Sequence, residues 1–206
     1  MSGIQPRRPA QLKPEQMELI QGEADTAFSS ELAHTCAQVI IPLPTAHALD
    51  TETIARVKAL IQTEGVDLLA EAWVTSPEDS LPGILWRGYL LREWIRRFPD
   101  EAIGRYTASR KYFAVQEPEK LDLVREPQDL QAVWDEVFAG DYRGDFAQVL
   151  RDSARFCDFL GSVIPGWVAD ETHPLATAVT LRETALLRVA SEFLHAGELL
   201  RGGKLS

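Results

Sequence analysis

The stretch from Leu81 to Phe98, LPGILWRGYLLREWIRRF, constrains the fold of this chain more than any other segment. At about 100° per residue its apolar side chains form one continuous face, and more of them occupy the opposite side of the first two turns. The residues expected in the core are Ile84, Trp86, Leu90, Leu91, Trp94, Ile95 and Phe98. A helix with this pattern is buried nearly all round in its first half, so we expect a central helix over residues 81–98.

The second half of this predicted helix carries a cluster of charges. Glu93 precedes Arg96 and Arg97 by about one turn, which is the spacing of helical ion pairs. Because these residues fall opposite the apolar face, we expect the cluster to be exposed to water.

Arg87 breaks the pattern, because it projects between Leu91 and Trp94 in the apolar face. An unpaired charge is costly in such surroundings, so Arg87 needs an acidic partner or an anionic ligand. Asp152 projects among the apolar residues of a later predicted helix and is the best-placed carboxylate. The sequence therefore predicts a buried contact between Arg87 and Asp152, or between Arg87 and a bound anion.

Apolar residues recur at helical spacing through most of the remaining chain. The other predicted helices span about residues 14–40, with a bend near Ser29, and 50–65, 66–74, 99–113, 127–140, 145–164 and 180–201. Thr180 and Glu183 have the spacing of a capping box at the start of the last one. The alternation KLDLV at residues 120–124 fits either a short strand or a loop. Seven or eight helices with short connections predict an all-α fold, a compact multi-helix bundle around the central helix.

Composition limits the class of protein. The chain has 21 Lys and Arg against 31 Asp and Glu, and this net charge of -10 opposes the phosphate backbone that dominates nucleic-acid affinity. No apolar run approaches membrane-spanning length, and the opening MSGIQPRRPAQLKP contains no apolar signal region. We therefore expect a cytoplasmic protein with no nucleic-acid or membrane partner. Residues 1–13 are predicted to form a disordered tail, and residues 14–206 a single helical domain.

The two cysteines, Cys36 and Cys157, each fall in an apolar helical stripe with no second cysteine nearby in sequence. That spacing fits neither a metal site nor a redox pair. We expect two buried free thiols rather than a disulfide.

Two E-x-x-H spacings provide the sharpest candidate for metal chemistry: Glu31 with His34, and Glu192 with His195. In ferritin-like carboxylate proteins, two such motifs and a glutamate from each of two other helices hold a pair of metal ions in the bundle core. These four residues would therefore have to point inward to form such a site.

The direction of the second motif disfavours a metal site. The residues expected to be buried on the last predicted helix are Leu186, Val189, Ala190, Phe193, Leu194 and Leu200. Its apolar face is centred near Ala190 and Gly197, which places Glu192 and His195 on the opposite side. They should face water, with Arg188 and Glu192 forming an ion pair. We therefore expect no metal site and no cofactor.

From Arg87 to Lys111 the chain carries seven basic and three acidic residues, a local balance of +4 in an acidic protein. Two of these arginines, at positions 87 and 110, fall in apolar stripes near aromatic residues. Guanidinium groups beside aromatic walls bind carboxylate or phosphate ligands, whereas arginines paired with buried carboxylates are structural. Both interpretations remain open. The candidate ligand-binding residues are Arg87, Arg110, Tyr89, Trp94, Tyr106 and Asp152.

No specific catalytic motif occurs, since the chain lacks G-x-S-x-G and the glycines of GDYRGD lack Walker or dinucleotide spacing. The sequence leans against an enzyme without excluding one. It favours a non-catalytic cytoplasmic helical domain that binds a small anionic ligand or a protein partner. The alternative is a ferritin-like carboxylate-bridged metal enzyme. Wide apolar faces also favour a symmetric homodimer.

Overall fold

Eight α-helices and one 3₁₀ helix, with no β-strand, make up the residues that the structure, a computed structural model, describes: 23–44, 49–140, 142–163 and 176–205. They are α1 (Glu23–Ile40), α2 (Thr51–Glu64), α3 (Asp67–Trp73), α4 (Leu81–Arg97), α5 (Pro99–Gln116), the 3₁₀ helix (Pro118–Leu123), α6 (Pro127–Phe138), α7 (Phe146–Gly161) and α8 (Ala176–Arg201). None of these helices is long and apolar enough to cross a membrane. The predicted all-α bundle is confirmed. The predicted tail at residues 1–13 lies outside the described residues.

Helix α4 is the predicted central helix. Ser80 caps its N-terminus, since the Ser80 hydroxyl accepts a hydrogen bond of 3.2 Å from the Gly83 amide. Residues 81–85 are all buried, and Leu91 and Ile95 are buried farther along. The first five residues of α4 are therefore buried all round, as its sequence predicts, whereas Trp86, Arg87 and Tyr89 in the rest of its first half are half-buried.

Three aromatic residues of the predicted core are less buried than expected. Trp86 and Trp94 are half-buried, and Phe98 is 55% exposed; Leu90, also expected in the core, is 46% exposed. Phe98 follows the last helical residue of α4, where the backbone has turned toward α5. All three residues line a cavity beside α4, and this cavity keeps them from full burial.

Helix α4 meets α6 at Gly88, where the indole of Trp134 lies directly on the backbone. A Cβ atom built at Gly88 falls 2.2 Å from Trp134 Cη2, so only glycine fits without movement. Trp134 is fully buried, and its Nε1 donates a hydrogen bond of 3.0 Å to Ser153 Oγ of α7. Its ring also lies 6.0 Å from that of Phe193 on α8. One side chain thus connects four helices.

Two local predictions are wrong. Helix α1 passes Ser29 without a break. Residues 29–32 are exposed there and the buried residues begin at Ala33, so the drift of the apolar stripe requires no bend. Helix α8 begins at Ala176, so helical backbone runs through Thr180 and no N-cap forms at that position. The segment KLDLV, which fitted a strand or a loop, lies mostly in the 3₁₀ helix.

Both cysteines are buried free thiols, as predicted. Burial raises the pKa of Cys36 and of Cys157, and the nearby Asp158 carboxylate adds a smaller effect at Cys157. The two thiols therefore remain protonated at neutral pH, and neither has the character of an activated nucleophile.

Candidate functional site

A cavity of about 510 Å³ lies between α4 and α8, and we refer to it as the α4–α8 cavity. Most of its wall is apolar. The principal apolar side chains are Trp86, Leu90, Leu91 and Trp94 on α4 and Leu186 and Val189 on α8. Cys157 of α7 also lines the cavity, and its protonated thiol adds no charge. The cavity can therefore take an apolar body the size of a small organic molecule.

Four charged residues of the described part of the chain share this wall. They are Arg87 of α4, Glu101 and Arg105 of α5, and Arg188 of α8. Three of these side chains are arginines and one is a glutamate, while Glu192 and the exposed Glu78 lie 2.8 Å and 3.9 Å from Arg87. Guanidinium groups in partly apolar surroundings recognise carboxylate and phosphate groups.

Glu192 of α8 lies behind two of these arginines and contacts both. Arg87 Nε donates a hydrogen bond of 2.8 Å to Glu192 Oε2, and the two side chains are only 18% and 6% exposed. Arg188 Nε lies 3.4 Å from Glu192 Oε1, but the Arg188 side chain is 71% exposed. Within the described part of the chain, Oε1 makes no hydrogen bond. Glu192 therefore holds Arg87 firmly and Arg188 loosely. We call these three residues the Arg–Glu–Arg triad.

The predicted pairing of Arg87 with Asp152 is wrong. Asp152 is buried, as expected, but its Oδ2 accepts a hydrogen bond of 2.6 Å from Arg125 Nε. Its Oδ1 accepts another of 2.6 Å from Gln148 Nε2. Asp152 thus joins the segment before α6 to α7. The prediction that Arg87 contacts a buried carboxylate holds, with Glu192 in place of Asp152.

The helical phase predicted for α8 explains the error. Leu194, predicted to be buried, is 54% exposed, and Leu187 is 41% exposed. Phe193 is fully buried, as predicted, and so is Ala196, so the core face of α8 is turned away from Leu187 and Leu194. This rotation of the core face places Glu192 at the buried edge of the helix and not on the predicted solvent side. The predicted apolar stripe had included Leu194, which lies on the outer face.

The other candidate residues are divided between two places. Tyr89 stacks on Trp86 at 5.5 Å and donates a hydrogen bond of 3.1 Å to Asp67, so it supports the cavity wall from outside. Arg110, predicted to point inward, is exposed, and its guanidinium lies 5.8 Å from the centre of the Tyr106 ring. Tyr106 is buried and donates to the Val124 carbonyl at 3.3 Å. Of the six candidates, only Arg87 and Trp94 line the cavity.

Glu93 was predicted to be exposed to water, but the structure buries it. It is 5% exposed and accepts hydrogen bonds from three arginines. The distances are 2.9 Å from Arg92 Nη1, 2.7 Å from Arg96 Nη2 and 2.7 Å from Arg97 Nε. Burial alone raises the pKa of this carboxyl, but the hydrogen bonds and charges of the arginines outweigh it and lower the pKa. The predicted ion pairs are present, and their long side chains cover the carboxylate.

The two E-x-x-H motifs do not come together as a ligand set in the described structure. Glu192 is buried against Arg87, while His195 is exposed. Glu31 is exposed, and Nδ1 of the half-buried His34 lies 3.1 Å from the Ser30 carbonyl. Among the described residues, no group of three or more His, Cys, Asp or Glu side chains is placed to hold a metal ion.

Sequence reasoning missed Glu192, Arg188 and Arg105 as residues of the cavity region. The i, i+4 spacing of Arg188 and Glu192 was visible, and so was the need of Arg87 for an acidic partner. Arg105 carried no comparable signal.

A scan against models of known protein families and searches of curated proteins and of solved structures found no match.

Proposed function

We propose that the protein is a non-catalytic cytoplasmic domain that binds a small organic anion with an apolar body in the α4–α8 cavity. The observation that carries this proposal is the placement of Arg87, Arg105 and Arg188 on the wall of a largely apolar cavity. Small-molecule sites combine apolar walls with a few placed polar groups in cavities of this size. The ligand expected from these features has a hydrocarbon or aromatic body and an acidic head group.

Arg188 is the arginine best placed to receive the head group. Its side chain is 71% exposed, and its contact with Glu192 is longer than that of Arg87, at 3.4 Å against 2.8 Å. Arg87 is already engaged by Glu192 in a buried pair. An incoming carboxylate therefore pairs with Arg188, while Arg87 adds positive potential behind it.

The two tryptophans of the cavity are the reason to expect a ligand with an apolar part. Trp86 and Trp94 are half-buried and line the cavity, although large aromatic side chains of a core are usually covered. A ligand body against them removes apolar surface from water, at about 25 cal/mol per Å². This burial favours ligands with a tail over small inorganic anions.

Binding is better supported than catalysis. Of the described residues that line the cavity, none is a serine, histidine or lysine, and the Cys157 thiol is kept protonated by burial. Nucleophilic catalysis needs a nucleophile beside a base. A ferritin-like metal enzyme has weaker support as well, because Glu192 is engaged by Arg87 and His195 is exposed.

Thermal unfolding with matched probes tests the proposal. Octanoate, octanol and octylamine share one tail and differ in head-group charge. We expect octanoate to raise the melting temperature by about 5 to 10 °C when its concentration is a hundredfold above its Kd, because such binding adds about 2.7 kcal/mol. Octanol should give a smaller shift and octylamine none.

One arginine variant tests whether the shift depends on the cavity, and a second arginine variant is its control. Arg188→Gln should abolish most of the shift given by octanoate. Arg56→Gln should leave it intact, since Arg56 of α2 is 75% exposed, forms the same type of i, i+4 pair with Glu52, and does not line the cavity. Equal shifts with octanoate and octylamine, or equal losses in the two variants, would contradict the proposal.

A further inference from the structure

We infer that the ligand of the α4–α8 cavity is an arylalkanoic acid, in which a short chain joins an aromatic ring to the carboxylate, and that Trp94 and Phe98 bind the ring. This inference rests on the proposed function and specifies the apolar body of its ligand. The evidence is the row of aromatic side chains on the cavity wall and the way in which their rings are packed.

One row of side chains along α4 supplies the aromatic part of the wall. Trp86, Leu90, Trp94 and Phe98 follow one another at intervals of four residues, and all four line the cavity. Side chains four residues apart lie on the same face of a helix, so the cavity follows this face of α4 to its C-terminal end. Three of the four side chains in the row are aromatic rings.

The aromatic rings of the core are packed differently from those at the cavity. Trp73 and Trp134 are fully buried, and their ring centres lie 6.2 Å and 5.3 Å from that of Phe138. The indole Nε1 of each donates a hydrogen bond to another residue of the protein. Within the described part of the chain, Trp94 and Phe98 make no ring contact, and the Trp94 indole N–H has no acceptor. The described residues thus leave these two rings available to a ligand.

Trp86 differs from the other two rings of the row, because the protein already stacks a ring on it. The Tyr89 ring lies 5.5 Å from that of Trp86, with an angle of 17° between the two planes. Aromatic pairs at this distance are in favourable contact. The stacking requirement of Trp86 is therefore met within α4, and Trp94 and Phe98 are the rings that an aromatic ligand would contact.

The position of Trp94 relative to the Arg–Glu–Arg triad determines the shape of the ligand. Arg87 and Arg188 both line the cavity and both contact Glu192. Trp94 follows Arg87 by seven residues, which is about 10 Å along the axis of α4. A carboxylate held by Arg188 therefore needs a chain of a few methylene groups to bring its ring to Trp94.

Ring contacts and simple apolar burial make opposite predictions for this site. Aromatic rings attract one another through their quadrupoles, in addition to the burial of their area. A saturated ring with the same number of carbons buries at least as much apolar surface but has no quadrupole. Burial alone therefore favours the saturated ring or neither ring, whereas contact with Trp94 and Phe98 favours the aromatic one.

Calorimetric titration with two matched acids tests the inference. Phenylbutyrate and cyclohexylbutyrate share the carboxylate, the chain and the number of carbons. For the parent protein we expect phenylbutyrate to bind about threefold or more tightly than cyclohexylbutyrate. Equal affinities, tighter binding of cyclohexylbutyrate, or binding of octanoate alone would overturn the inference and leave the proposed function standing. No binding of any of the three acids would overturn both.

Variants assign the preference to the two rings. Trp94→Leu and Phe98→Leu keep an apolar side chain on the wall, and each should lower the ratio of the two affinities toward one while octanoate still binds. Phe98 is 55% exposed, so we expect Phe98→Leu to fold even if Trp94→Leu does not. A loss of stability alone would not change this ratio.

Tyr112→Leu is the matched control, because Tyr112 of α5 is 49% exposed and does not line the cavity. This variant should keep the full preference for phenylbutyrate. An unchanged ratio in every folded variant of Trp94 and Phe98, or an equal loss of preference in Tyr112→Leu, would contradict the role of the two rings.

Discussion

Arg87 Nε donates a hydrogen bond of 2.8 Å to Glu192 Oε2 across a sequence separation of 105 residues, and this contact joins the central helix to the last one. It lies at the edge of the α4–α8 cavity and is shielded on both sides. The Arg87 side chain is 18% exposed and that of Glu192 is 6% exposed. The stability of the fold and the proposed ligand binding therefore both depend on this ion pair.

Arg87→Met should lower the free energy of unfolding by about 3 kcal/mol, because it leaves the Glu192 carboxylate buried with only the loose contact to Arg188. The double variant Arg87→Met, Glu192→Leu should recover much of this loss, since the remaining charge is removed as well. Urea denaturation of the two single variants and the double variant measures the coupling. Simple addition of the two single losses would show that the pair is not coupled. Arg56→Met, at an exposed pair, should cost under about 1 kcal/mol.

Gly88→Ala should destabilise the protein by about 1–3 kcal/mol, because the added methyl group meets the buried Trp134 ring. Gly104→Ala is the matched control within a helix. A Cβ atom at Gly104 has no neighbour within 4 Å, so this variant should gain up to about 1 kcal/mol from helix propensity. Denaturation midpoints of the two variants should move in opposite directions. Equal stability of both would contradict the close contact between α4 and α6.

Glu93 should make stability fall at acidic pH. Its pKa is lower in the folded protein than the ordinary value of 4.5, so the folded state favours the ionised carboxylate. This contribution is complete above the unfolded-state pKa and is lost as the pH falls through the lower folded-state pKa. Glu93→Gln should be less stable than the parent at neutral pH and decline less steeply below about pH 4.5. The exposed Glu71→Gln is the control in the same pH series. Parallel curves for the parent and Glu93→Gln would contradict this prediction.

We expect a homodimer that covers the outer face of α8. Leu187 and Leu194 are 41% and 54% exposed and lie seven residues apart, on the same side of the helix. A symmetric dimer is the commonest way to cover such a surface. Light scattering should give the mass of two chains for the parent protein and of one chain for Leu194→Glu. The mass of one chain for the parent at micromolar concentration would exclude this dimer.

The sequence was most informative where local chemistry decides the structure. The N-cap at Ser80 and the burial of residues 81–85 follow from residue type and spacing within a few turns. The central position of α4 follows as well, because a helix that is apolar all round has no stable place at the surface. These features need no knowledge of distant partners.

The ion pairs between helices were less predictable, because they depend on the rotation of each helix about its own axis. The rotation predicted for α8 about its axis was wrong, so Glu192 was expected on the solvent side and not at the buried edge. For this reason Asp152 was predicted as the partner of Arg87. Glu93 shows a different limit. Its ion pairs follow from i, i+3 and i, i+4 spacing, but its burial depends on how three arginine side chains fold over it. The α4–α8 cavity is a property of the assembled helices, so only two of its residues were among the candidates.

Intrinsic tryptophan fluorescence during a titration with octanoate tests the proposed binding site most directly. Trp86 and Trp94 line the α4–α8 cavity, whereas Trp73 and Trp134 are fully buried in the core. We predict a saturable change in emission in the parent protein and its loss in the double variant Trp86→Phe, Trp94→Phe. The change should persist in Arg56→Gln and disappear in Arg188→Gln. An unchanged response in the double tryptophan variant, or no response in the parent at any octanoate concentration, would contradict binding in this cavity.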